Sequence, residues 1–189
     1  MITRLEHALV TTAEIVAAVP ADRWSAPSLC AGWSLRAEAN HLVGGLRIFA
    51  AQLTGQALEV DHDTHDWLAG DPRASYADAA RADLDAWRSP GAMETVLDLA
   101  FGSVPAPMAL VVHLTEIVVH GLDLAVAVGR EDLVDEEQAA WLLGLMRETG
   151  TEQFRVPGIF GPEVAIEAEA PAHRRLLAYL GRDRAVIAA

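Results

Sequence analysis

The sequence predicts an all-α fold, a bundle of four main helices with short extra helices and a small hairpin. Three observations carry that reading. Apolar residues recur at spacings of three and four through long segments. Pro, Gly and good N-capping residues stand at the ends of those segments. Nothing in the chain resembles a strand–helix alternation or a nucleotide-binding glycine loop.

The first helix is expected from Thr3 to Val19, with Leu5, Leu9, Ala13 and Val16 on one stripe and Pro20 ending it. A loop with Trp24, Pro27, Cys30 and Gly32-Trp33 follows. Ser34 caps a second helix that runs to Thr54, with Leu35, Leu42, Leu46, Phe49 and Leu53 on its apolar side. This helix contains Gly44-Gly45, and each glycine costs roughly 1 kcal/mol in a helix interior, so a close approach by a neighbour is expected there. A polar loop from Asp61 to Arg73 holds His62 and His65, both read as solvated. A third helix is expected to start after Ser75 and stop at Ser89, and 95–104 reads as a short hairpin around Phe101-Gly102. The fourth helix begins at Pro105 or Pro107 and ends at Gly129. The fifth is capped by Asp135 and ends near Gly150. An extended stretch, 156–169, leads to a short helix from Ala172 to Leu180.

At 189 residues and 52% hydrophobic composition, the chain is expected to fold as one domain, 1–189, with the tail 156–189 packed on it. The richest apolar stretch, Met108 to Val128, is interrupted by His113, Glu116, His120 and Asp123, short of the roughly 20 apolar residues of a membrane span. The first ten residues carry no signal-peptide pattern. A soluble, cytoplasmic protein with no membrane partner is expected. The net charge of −13 argues against nucleic acid, which needs a basic surface. A single cysteine, Cys30, excludes an internal disulfide and is expected as a small buried hydrophobe. All 14 basic residues are Arg, which points to a GC-rich genome.

The fourth helix carries the chemistry. It is apolar nearly all round, which places it at the centre of the bundle. Against that background His113, Glu116, His120 and Asp123 fall within an arc of roughly 80° at 100° per residue. Buried ionisable groups are costly unless they pair or bind a metal. Glu116 and His120, four apart, meet one turn from each other and suit two ligands on one ion. His41, among apolar residues and glycines in the second helix, is the candidate third ligand. A His₂Glu set with open positions suits Zn²⁺ first, and also Ni²⁺, Co²⁺ or Fe²⁺. His113 and Asp123 are expected to orient a ligand or assist as catalytic groups. The five Trp are read as core and loop anchors.

The segment CAGWSLRAEANHLVGG, Cys30 to Gly45, resembles a motif of the DinB-like metal-binding bundles, nearest to the actinobacterial mycothiol-dependent maleylpyruvate isomerase family. Here Ala31 replaces a proline, Ser34 a threonine, and Glu38 lies near the usual acidic place. HLTEIVVHGLDLAVAVGR, His113 to Arg130, resembles the family's second motif, with Leu122 in place of a tryptophan. The ending FGPEVAIEAEAPAHRRLLAYLGRD is similar to the tail of shorter members. The resemblance implies a DinB-like four-helix bundle, a divalent metal on His41, Glu116 and His120, and mycothiol as cosubstrate. It also implies thiol-dependent transfer or isomerisation on an electrophile. The isomerase carries a further C-terminal domain that this sequence does not contain, so maleylpyruvate is not expected as substrate. Two other functions stay open: a non-catalytic metal-binding or stress-response module, and a hydrolase using metal-bound hydroxide. Pairing of helix faces into a homodimer is compatible with the sequence.

Overall fold

A computed structural model describes residues 1–61, 64–156 and 159–182. Its elements, in order, are α1 (Ile2–Ala18), α2 (Leu35–Thr54), α3 (Pro72–Trp87), β1 (Val96–Leu99), β2 (Gly102–Pro105), α4 (Ala106–Val128), α5 (Glu136–Thr149) and α6 (Ala172–Tyr179). Helices α1 to α4 form the bundle: α2 packs on α3, α1 on α4, and the adjacent pairs α1–α3 and α2–α4 close the ring. Helices α5 and α6 pair with each other and lie against α4.

Local chemistry sets the helix ends. The Ser34 hydroxyl accepts the Ala37 N–H and opens α2, and Gly55 closes it in the left-handed conformation. Helix α3 begins earlier than Ser75: the Asp71 carboxylate caps Arg73 N–H, and Pro72 occupies the first turn, where its missing N–H costs nothing. Gly129, with φ +73°, ends α4, and the Asp135 carboxylate accepts Gln138 N–H at the head of α5. The strands β1 and β2 pair antiparallel, with Val96 opposite Pro105 and Leu99 opposite Gly102. Residues 159–169 form neither helix nor strand, and are tied to α6 by Gly161 N–H to Leu180 O and Val164 N–H to Ala178 O.

Helix α4 is the core. By length and composition it could cross a membrane, with a mean hydropathy of 1.7 over its apolar window. Here α1, α2, α5 and α6 cover that surface instead. Leu110, Leu114, Ile117 and Leu124 are fully buried along it, and each such side chain contributes about 1.5–3 kcal/mol on leaving water. Two glycines permit close approach. A Cβ on Gly121 would lie 2.6 Å from Thr12 Oγ1 of α1, and one on Gly44 would lie 2.7 Å from the Trp67 indole nitrogen. Gly45 faces open space, so the expected crowding holds for one member of the pair only.

His113 points into the packing between α3 and α4. Its Nε2 lies 3.0 Å from Asp83 Oδ2, both side chains are buried, and Phe49 stacks on the ring at 3.9 Å. The pair lacks hydrogen-bond geometry and acts through charge, so Asp83→Ala removes the buried carboxylate facing the ring and is expected to lower stability by about 3–5 kcal/mol in chemical denaturation if the ring is charged. Metal content, measured alongside, is expected to stay unchanged.

Candidate metal centre

The group forms where α2 crosses α4. Two residues of α4 at i and i+4, Glu116 and His120, project together toward α2, and α2 supplies His41 and Glu38. His41 Nε2 and His120 Nε2 each donate to Glu116 Oε2 at 3.2 Å. One ligand atom from each of the three residues falls within 4.8 Å of the other two. The group opens outward: the His41 and Glu116 side chains are 40% and 42% exposed, while His120 is only 8% exposed.

Behind His120 the site is closed. Its Nδ1 donates to Glu38 Oε1 at 2.8 Å, and Glu38 is fully buried. Glu38 lies three residues before His41, on the same face of α2. Its other oxygen, Oε2, has no hydrogen-bond partner among the described residues. Asp123, one turn after His120, is also fully buried: Oδ2 lies 3.7 Å from His120 Nδ1 and accepts from Arg182 Nε at 3.2 Å. Asp123 Oδ1 is unpaired among the described residues. Arg182 follows α6 and reaches back to α4, and its Nη1 also donates to Ile159 O.

Trp33 forms the aromatic wall. Its ring stacks on His120 at 5.9 Å and meets His41 edge-on at 5.0 Å. The loop holding it is set by Gly32 at φ +84°, a conformation that favours glycine, and by Ser28 N–H to Trp33 O. Trp33 is therefore part of the site, whereas Trp87 is a core anchor as expected. Cys30 departs from the buried-hydrophobe expectation: it is half-buried, with its sulfur within 4.8 Å of a Glu38 oxygen and a His120 ring nitrogen.

The electrostatics are those of a cation-seeking pocket. Desolvation pushes the Glu116 carboxyl up, but the hydrogen bonds from His120 and His41 outweigh it and hold that carboxyl well below the usual range. Desolvation acts against the charged His120 ring, yet Glu116 and Glu38 together drive its pKa well above the ordinary value. Burial first, and the Glu38 charge second, push the Asp123 carboxyl to about 7, against the pull of Arg182. Burial also raises the Cys30 thiol.

Of the residues singled out by sequence, His41, Glu116 and His120 come together here. Asp123 stands behind His120, and His113 is taken up by Asp83 elsewhere. Sequence reasoning did not assign Glu38, Trp33, Cys30 or Arg182 to the site. The three-residue spacing from Glu38 to His41 was a usable signal for the first of these. His65 is exposed and edge-on to Trp67, and His62 lies outside the described residues.

Residues 5–125 match the family described as mycothiol maleylpyruvate isomerase N-terminal domain. Uncharacterized proteins from two strains of Mycobacterium tuberculosis are 30% identical over 175 residues, covering 90% of this chain and 91% of theirs. The crystal structure of the mycothiol-dependent maleylpyruvate isomerase superposes with a TM-score of 0.53 and 18% identity, over 80% of this chain and 72% of that one, a likeness of fold. The helical bundle is thus DinB-like, and the chain belongs to the mycothiol maleylpyruvate isomerase N-terminal domain family.

Proposed function

We propose that the chain is a divalent-metal protein acting with a small-molecule thiol, of the mycothiol class, on an electrophile: a thiol transferase or a related thiol-dependent enzyme. The observation that carries this is the outward-facing convergence of His41 Nε2, Glu116 Oε2 and His120 Nε2. Two imidazoles and a carboxylate on a half-open face are the donor set of a catalytic rather than a closed structural zinc site. The support behind the ring fits such a site: fully buried Glu38 holds His120 Nδ1 at 2.8 Å. Zn²⁺ suits the donors first, with Ni²⁺, Co²⁺ and Fe²⁺ as other candidates.

A divalent ion held there would lower the pKa of a coordinated thiol, supplying a nucleophile at neutral pH. The chain's own residues do the rest. Glu38 accepts the Nδ1 proton of His120, which fixes the ring and leaves Nε2 to face outward. Trp33 covers one side of the group, edge-on to His41 and parallel to the His120 ring. Arg182 holds Asp123 behind the ring. His41 and Glu116 line the open side, where the electrophile has access.

Elemental analysis of protein purified without a His-tag is expected to give about one catalytic metal per chain, lost in His120→Ala, as three-ligand sites require. Absence of metal from wild type, even after reconstitution with Zn²⁺ or Ni²⁺, would sink the proposal. Glu38→Gln keeps the shape of the His120 support but weakens its basicity, and metal affinity is expected to fall about 10–100-fold in a competition titration. Loaded protein is expected to turn over electrophiles only when a low-molecular-weight thiol is added. Equal rates with and without thiol would instead indicate hydrolysis by metal-bound hydroxide.

A further inference from the structure

His120 has two ring edges, and the structure surrounds both with ligand-type atoms. The outer edge, Nε2, meets Glu116 and His41. The inner edge, Nδ1, meets Glu38 at 2.8 Å, and a second group of atoms gathers on this side of the molecule. Ligand atoms of Cys30, Glu38 and His120 all lie within 4.8 Å of one another. Glu38 is 0% exposed, yet its Oε2 has no hydrogen-bond partner among the described residues. An unpaired carboxylate oxygen in a dry interior is costly, and a bound cation removes that cost.

Two fully buried carboxylates, Glu38 and Asp123, stand here: Arg182 is committed to Asp123, and the His120 ring meets only one of the two Glu38 oxygens. The cysteine is positioned, not incidental. Cys30 N–H donates to Ser28 Oγ at 2.8 Å, and Trp33 N–H donates to Cys30 O at 3.0 Å, so a hydrogen-bonded turn fixes its backbone.

We propose that Cys30, Glu38 and the inner edge of His120 form a second cation site, sharing the His120 ring with the outer group and selecting a thiophilic divalent ion. A thiolate, a carboxylate and an imidazole are donors suited to Zn²⁺ or Cd²⁺ rather than Mg²⁺ or Ca²⁺. On binding, the Cys30 S–H and His120 Nδ1–H bonds break, both protons leave to solvent, and the sulfur and nitrogen lone pairs form the bonds to the ion; with the outer group also filled, the ring bridges the two ions as an imidazolate. No electron is transferred. Its Cys30 and Glu38 ligands are distinct from His41 and Glu116, so it can exist whether or not the outer group performs the chemistry proposed above.

Cadmium alone is the probe, because thiolate coordination gives it a charge-transfer band in the ultraviolet. Metal-free wild type is expected to take up about two ions per chain and to show that band. His41→Ala is expected to retain the band with about one ion, and Cys30→Ser to lose the band with about one ion. Circular dichroism and thermal melting establish that each variant is folded. If Cys30→Ser does not fold, alkylating Cys30 in folded wild type removes the same ligand. Cadmium uptake by wild type without the band overturns the second site and leaves the outer one standing. A single ion whose band disappears in His41→Ala also overturns it, since Cys30 would then serve the same ion as His41. Failure of every form to take up cadmium overturns the proposal and the metal reading of the outer group together.

Discussion

Glu38 and His120 are joined by a hydrogen bond of 2.8 Å between α2 and α4, in a region where Glu38 has no access to water. Neither residue is tolerable there alone. A buried carboxylate without a partner costs several kcal/mol, and a buried imidazole facing three carboxylates needs a fixed orientation. The bond fixes one ring edge inward and so determines what the other edge presents. The arrangement of His41 and Glu116 around His120 Nε2, the placement of Trp33 over the ring, and the position of Asp123 behind it all depend on that orientation.

The bundle supports this contact by making α4 rigid and dry. Gly121 lets α1 approach within contact distance of the α4 backbone side, and Gly44 admits the Trp67 indole against α2. These close approaches set how α2 and α4 lie in the bundle, and a small shift in either would separate residues whose useful distances are near 3 Å. The His113–Asp83 pair works in the same sense on the α3 side, with Phe49 and Trp87 around it. What looked from sequence like one polar line on α4 is therefore two clusters. His113 braces packing, and Glu116, His120 and Asp123 face a site.

The tail contributes more than packing area. Hydrogen bonds from Gly161 and Val164 to α6 hold the segment against the body, and Arg182 emerges beside α4 to meet Asp123. His173 is held at the other end of α6, its Nδ1 against Glu136 and its Nε2 2.8 Å from Glu131. The short helix is thus pinned by ion pairs at its start and just beyond its end. The guanidinium it delivers offsets part of the buried negative charge behind His120.

The sequence by itself determined the elements and their periodicity. The apolar surround of α4 placed it centrally, Ser34, Gly129 and Asp135 marked helix ends, and the i, i+4 spacing of Glu116 and His120 guaranteed that their side chains meet, because helix geometry is local. Helix α3 starts before Ser75 because Asp71-Pro72 works as a cap and first turn, a signal weaker than the apolar pattern that begins after it. Only the tertiary structure decided the rest. Whether His41 meets Glu116 depends on how α2 crosses α4, and no spacing in the chain encodes that crossing. The approach of Cys30, Trp33 and Arg182 to one imidazole depends on a loop and a tail folded back over 59 residues or more in the case of Arg182 and Asp123. His113 and Asp123 share a helix face, yet one turns to α3 and the other lies behind His120, because the partners that satisfy a buried charge come from neighbouring helices and not from the helix that carries it.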